Sequence, residues 1–128
     1  MMRYPDFEDI DIIHDELIGI TGGEPGYRDR GAVESAVGQP QATFGGKDLY
    51  STIEVKAASL CYSLAMNHGF TDGNKRVAHA ATEMFLRMNG FMLTGDVEEH
   101  ERVMFQLASS QMAKDELLGW LRSHIAVR

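Results

Sequence analysis

Apolar residues recur at helical spacing along most of the chain, and Gly, Pro and Asn punctuate the intervals between them. Phe7, Ile10, Ile13, Leu17 and Ile20 fall on one helix face, with Asp6 placed to cap the start. Gly22-Gly23 and then Pro25-Gly26 end that helix in a loop. Ala32 to Val37 is a short helical piece closed by Gly38 and Pro40. Gln41 to Tyr50 contains Gly45-Gly46 and has no helical period, so it reads as an exposed flap.

The stretch from Thr52 to Met66 is apolar almost all round, from Ile53 and Val55 through Leu60, Cys61 and Leu64. A helix without a polar face is a central, buried one. Asn67 to Gly73 is a short loop, and a second helix opens at Asn74. Its expected inner face is Val77, Ala80, Ala81, Met84, Phe85 and Met88, and Asn89-Gly90 is its stop. Asp96 and Glu99 have capping-box spacing ahead of Val103, Leu107 and Met112. Asp115 is expected to start the last helix, with Leu117, Leu118, Leu121 and Ile125 inward. Strand character is confined to Phe91-Met92-Leu93 or part of the flap. The pattern predicts one compact all-α domain over residues 1–128.

Composition narrows the function classes. Apolar residues make up 44% and charged residues 24% of the chain, which suits a globular domain with its own core. No apolar run approaches the ~20 residues of a membrane span, so no membrane association is expected. Met1 to Asp6 lacks the basic-then-apolar layout of a secretion signal. Cys61 is the single cysteine and lies in an apolar stretch, so a reducing, cytoplasmic setting is expected. A net charge of −7 with scattered Lys and Arg argues against a nucleic-acid binder.

Candidate chemistry concentrates in His68-Gly69-Phe70-Thr71-Asp72-Gly73-Asn74-Lys75-Arg76, at the hinge between the buried helix and the next one. The free N–H groups of a helix start carry partial positive charge. Gly73 lets the backbone approach an anion, and Lys75 and Arg76 add full charges beside it, which together describe a phosphate site. Those two cations oppose the helix dipole, a placement that makes sense if an anion is bound there. Phosphoryl transfer needs positioning and charge stabilisation. Asp72 could hold Mg2+ against phosphate oxygens, and His68 titrates near neutrality and could take a hydroxyl proton. Phe70 is expected to point inward as the loop's anchor. Each residue alone has an ordinary reading, since Asp-Gly-Asn is a common turn and Lys-Arg a common exposed pair.

His68 to Arg76 resembles the signature of the Fic/Doc family: His, any residue, Phe, two residues, Gly or Ala, Asn, Lys or Gly, then Arg. Gly22 to Asp29, Val33 to Ala36, Pro40 and the stretch Phe85 to Gly90 resemble the flanks of its death-on-curing branch. The similarity runs from about His14 to Leu121. It implies a small all-α fold with the motif on a central helix pair. By that resemblance His68 is the base, Asp72 the Mg2+ ligand, and Gly73, Asn74, Lys75 and Arg76 the holders of the phosphates of ATP. His68, Lys75 and Arg76 would form the catalytic set. A flap at about Gln41 to Leu49 would dock the target chain as an added strand.

Members with Gly at the position of Lys75 mostly transfer AMP, whereas the branch with Lys phosphorylates a threonine of elongation factor Tu. Transfer of the γ-phosphate is therefore the expected reaction, inhibiting translation as a toxin. AMP transfer and a catalytically weak binding module remain alternatives. Two positions depart from the family. Gly69 stands where Pro is frequent, which suggests a more mobile loop, and Met66 stands where this branch often has a basic residue. The family's self-inhibitory pattern fails at Thr94 to Glu98, because Glu99 follows where Gly or Asn is required. Inhibition in trans is then expected from a cognate Phd-like antitoxin whose disordered segment folds on the toxin.

Other residues carry weaker expectations. His14-Asp15 could suggest a metal phosphohydrolase, but neighbours on a helix point about 100° apart, so His14 reads as a structural or groove residue. His79 lies one turn past Lys75 and is expected on a solvated face, with site lining as the alternative. Arg28, Asp29 and Arg30 read as a local ion-pair set, with target contact as the alternative, and Trp120 as packing for the last helix or an apolar patch for the antitoxin. Met104 and Met112 are core filler or groove residues.

Overall fold

The computed structural model describes residues 1–128. Helix α1 (Phe7–Thr21) starts in a reciprocal cap: the Asp9 N–H donates to the Asp6 carboxylate at 2.8 Å, and the Asp6 N–H donates to the Asp9 carboxylate at 2.9 Å. Helix α2 (Arg30–Gly38) is capped by Asp29, which accepts the Ala32 N–H at 3.1 Å. A 3₁₀ turn at Gln39–Gln41 carries Pro40 into the flap. There β1 (Thr43–Phe44) and β2 (Lys47–Asp48) form an exposed antiparallel hairpin with Gly45 and Gly46 at its tip. Helices α3 (Ile53–Met66) and α4 (Asn74–Met88) follow, joined by the motif loop. Strand β3 (Phe91–Leu93), α5 (Val97–Ala108), α6 (Lys114–His124) and β4 (Ile125–Val127) complete the chain. The fold is all-α, six helices with two small two-stranded sheets.

Helix α3 is the axis of the domain and packs against α2, α4, α5 and α6. Ala57, Ala58 and Ala65 on α3 and Ala78 and Ala81 on α4 are almost fully buried, and such small side chains let the two helices approach closely. Leu60, Leu64, Val77, Phe85 and Leu86 fill the layers around them. The buried hydroxyls of Ser59 and Thr82 donate to carbonyls of their own helices, so no buried side-chain polar atom is left unpaired.

Four local expectations are corrected. On α4 the fully buried positions are Val77, Ala78, Ala81, Thr82, Phe85 and Leu86, while Ala80, Met84 and Met88 are half-buried. The face is rotated because α3 covers one side of α4 and α1 and α5 cover the others. Met112 lies beyond α5, which ends at Ala108 before a turn with Ser110 at a φ of 62°. Asp115 sits in the first turn of α6 rather than at its cap, where the Glu116 carboxylate accepts the Ala113 N–H. Ile125 is not helical; β4 pairs with β3 (Phe91 with Val127, Leu93 with Ile125), satisfying the backbone just after α4.

Lys56 is the residue that periodicity passed over. It sits in the apolar stretch of α3 and is 2% exposed. Its ammonium donates to the Pro40 carbonyl at 2.8 Å and lies 3.4 Å from the Asp48 carboxylate. It also lies 5.3 Å from the centre of the Tyr4 ring. One buried charge thus ties both ends of the flap to the central helix.

Candidate active site

The loop between α3 and α4 is stitched down on three sides. Phe70 is 1% exposed and lies between His14, with ring centroids 3.9 Å apart, and Tyr27, at 5.2 Å. The N–H groups of Arg28 and Asp29 both donate to the Gly69 carbonyl at 2.9 Å, and the Thr71 N–H donates to Gly26 at 3.1 Å. Asn74 closes the loop from inside: its side-chain carbonyl accepts the Phe70 N–H at 3.1 Å and its amide donates to the Phe70 carbonyl at 3.0 Å. His14 is structural, as expected, since it donates from Nε2 to the Asp72 carbonyl at 2.8 Å.

Gly69 is closely packed. A Cβ at this position would lie 2.4 Å from Val33 Cγ2 and 3.0 Å from the Asp29 carbonyl oxygen, so the segment before α2 fills the space a larger residue would need. Close packing and the two bonds to its carbonyl hold Gly69 where the family often has proline.

Held this way, the loop presents its polar groups to one groove of about 1150 Å³. His68 is exposed at its lip, in a left-handed conformation with a φ of 49°. Gly73, with a φ of 84°, turns the chain into α4. The first N–H groups of α4 have no acceptor within the helix, and the residues that carry them, Asn74, Lys75 and Arg76, line the groove. Asp72 accepts the Gly73 N–H at 2.8 Å on one carboxylate oxygen and the Glu24 N–H at 3.2 Å on the other. Gly23 permits this approach, because a Cβ there would stand 2.5 Å from the Asp72 carboxylate. Arg76 reaches between the Thr21 hydroxyl, to which it donates, and Asp72, 3.9 Å away. Lys75 extends across to α5, its ammonium 5.4 Å from the centre of the exposed Phe105 ring.

The Fic/DOC family pattern matches residues 4–86, which contain the whole loop, all of α3 and all but the last two residues of α4. The chain belongs to the Fic/Doc family. Among curated proteins it is 42% identical over 107 residues to "Toxin Doc" of Mycolicibacterium smegmatis (strain ATCC 700084 / mc(2)155), covering 82% of each chain. It is 37% identical over 89 residues to "Protein kinase doc" of Escherichia phage P1, covering 70% of each.

The Fic/Doc motif residues thus converge on one groove, with Phe70 inward as its anchor. Asn74 commits its side chain to the loop. Arg87 and Arg102 line the groove too, adding two further cations to its wall. Asp72 is about half-exposed and is the one carboxylate of the motif loop that faces the groove, beside the start of α4. That matches the way Mg2+ binds with one or two protein carboxylates, waters and substrate phosphates.

His79 is not on a solvated face. It is half-buried on the groove wall, with Nε2 3.0 Å from a Glu83 carboxylate oxygen and 3.0 Å from His100 Nδ1. Burial lowers its pKa below the usual histidine value. His100 is itself buried and donates from Nε2 to the Thr94 carbonyl at 2.7 Å. The spacing of His79 and Glu83 was legible in sequence, but His100 arrives from another helix and only the fold brings it close. Met104 lines the groove, whereas Met112 does not. Asp29 serves as a cap and Arg30 pairs with Glu34 at 3.2 Å, so Arg28 to Arg30 is not an ion-pair set. Trp120 packs α6 through a hydrogen bond to Glu99 at 2.9 Å. Cys61 is fully buried and its thiol is pushed up to about 11, which makes it a core residue and no nucleophile. No helix is long and apolar enough to cross a membrane.

Proposed function

We propose that this protein is a Doc-type toxin that transfers the γ-phosphate of ATP to a serine or threonine hydroxyl of a translation factor, with elongation factor Tu the expected target. The observation that carries the reading is the convergence of His68, Asp72 and the N-terminus of α4 on one groove. A volume of about 1150 Å³ exceeds the ~300–1,000 Å³ of an ordinary small-molecule site. A nucleotide and a stretch of target chain can share it. The name of the phage relative supports phosphate transfer, and Lys75 is the residue that favours it over AMP transfer.

In this reading the first N–H groups of α4, with Lys75 and Arg76, hold the phosphates and offset charge that builds on them. His68 accepts the proton of the target hydroxyl as its oxygen bonds to the γ-phosphorus. The bond from that phosphorus to the bridging oxygen breaks, and ADP leaves. Mg2+, held by Asp72, would neutralise phosphate charge. Asn74 and Phe70 act earlier, by fixing the loop before substrate arrives. A Phd-like antitoxin is the expected partner in trans. Exposed Val97 and Phe105 beside the groove offer apolar anchors to a segment that folds on binding.

The test uses ATP labelled on either the α- or the γ-phosphate, with Mg2+ and a bacterial lysate. Label on a protein band from the γ position alone, lost in His68→Ala, is the expected result. Label from the α position would assign AMP transfer and overturn the role given to Lys75. Nucleotide binding without labelling of any protein would reduce the chain to a binding module.

A further inference from the structure

We propose that His79, Glu83 and His100 form a binding site for a divalent transition-metal ion of the Zn2+ class, separate from the Mg2+ expected at Asp72. The inference does not depend on the transfer reaction. His79 and Glu83 lie one turn apart on α4, and His100 faces them from α5. Their ligand atoms are 3.0 Å apart for His79 Nε2 to Glu83 Oε1, 3.0 Å for His79 Nε2 to His100 Nδ1, and 3.7 Å for His100 Nδ1 to Glu83 Oε1. An ion bound tetrahedrally at ~2.0–2.1 Å sets its ligands about 3.3–3.4 Å apart. The observed edges bracket that value, so closure around an ion needs shifts of only a few tenths of an ångström.

The protonation pattern points the same way. The Thr94 carbonyl can only accept, so His100 Nε2 carries the hydrogen and Nδ1 presents its lone pair to the cluster. A ligand histidine oriented by a backbone carbonyl on its other nitrogen is the usual outer support of such sites. A neutral His79 offers Nε2 once its proton sits on Nδ1, and Glu83 supplies the anionic oxygen. Two neutral imidazoles and one carboxylate suit Zn2+ and disfavour Mg2+, which takes oxygen donors. All three residues line the groove, leaving a fourth position open to water.

Protein stripped with a chelator, free of nucleotide and Mg2+, is titrated with Zn2+ in competition with a chromogenic chelator. The ligand-field spectrum of Co2+ is recorded in parallel. The expected result is one ion per chain and a four-coordinate Co2+ spectrum. Zn2+ affinity should fall at least ~10-fold in His79→Gln and in Glu83→Gln, and stay unchanged in Asp72→Asn and His124→Gln. At the same Zn2+ concentration the unfolding midpoint should rise further for the parent than for Glu83→Gln. Both tested ligands are half-exposed, so these variants keep the fold, checked by circular dichroism, even if His100 variants do not. No stoichiometric uptake, uptake equal in the His79→Gln/Glu83→Gln double variant, or uptake lost in Asp72→Asn or His124→Gln would each overturn the proposal.

Discussion

The motif loop and the flap are both glycine-bearing connections, yet they are held in opposite ways. The loop from Asn67 to Gly73 is fixed along its length, by a buried aromatic ring, by backbone bonds to the Gly26–Asp29 segment and by the Asn74 side chain. The flap is fixed only at its base, where Lys56 holds Pro40 and Asp48, and its tip of Phe44, Gly45 and Gly46 is exposed. Groups that position reacting atoms need preorganised geometry. A strand waiting for a partner keeps its edge hydrogen bonds free. Under the proposed function, the difference in anchoring suits a difference in task.

The comparison breaks most severely at Phe70. Phe70→Ala removes a buried ring between His14 and Tyr27, and large core truncations of this kind cost about 3–5 kcal/mol. Chemical denaturation should show that loss, and modification of the target should vanish with it. A variant that kept parental stability would mean the loop is held by its backbone bonds alone.

Lys56 gives the next largest effect and the cleanest separation of the two regions. Lys56→Ala leaves the buried Pro40 carbonyl without its donor and opens a cavity, a loss of about 2–4 kcal/mol. Lys56→Met restores most of the volume without the donor, so denaturation midpoints should order parent, Met, Ala. Target KM should rise in the Met variant because the flap base is loosened, while nucleotide affinity, set by the loop, holds. Equal losses in both measurements would show that flap and loop are one mechanical unit.

Asn74 tests the loop without touching the core. Asn74→Ala removes both side-chain bonds to Phe70, about 1–3 kcal/mol. The loss should appear chiefly as a lower kcat, since His68 would no longer be held in a fixed place. Asn74→Asp retains the acceptor for the Phe70 N–H and should recover part of the rate. An effect confined to nucleotide KM would assign the side chain to direct phosphate contact instead.

How much of this was readable beforehand follows from the range of the interactions. Helix periods, caps at Asp6 and Asp96 and the stops at Gly22 and Gly90 are local, and they predict the six helices closely. The motif residues are also contiguous, so the candidate site could be named from one nine-residue run. What escaped is tertiary. Lys56 was hidden because a hydrophobic count registers the apolar majority of α3, although a lone cation in such a helix is itself a signal of a buried partner. The rotation of the α4 face depends on which neighbours cover it. The tightness around Gly69 depends on Val33, more than thirty positions away, so the glycine alone suggested mobility where the structure has close packing.

The smallest expected effect on stability is the sharpest test of the flap's role. Phe44 sits in β1 and is 82% exposed, so it contributes little to the fold. Phe44→Ala should change stability by less than about 0.5 kcal/mol. An exposed aromatic on a short hairpin is nevertheless well placed to contact an incoming chain. Target KM should therefore rise several-fold with kcat and ATP affinity unchanged, measured with purified target at varied concentration. An unchanged KM would mean that main-chain pairing alone docks the target. Replacing a flap residue whose N–H takes part in that pairing by proline would then be the substitution that reads it.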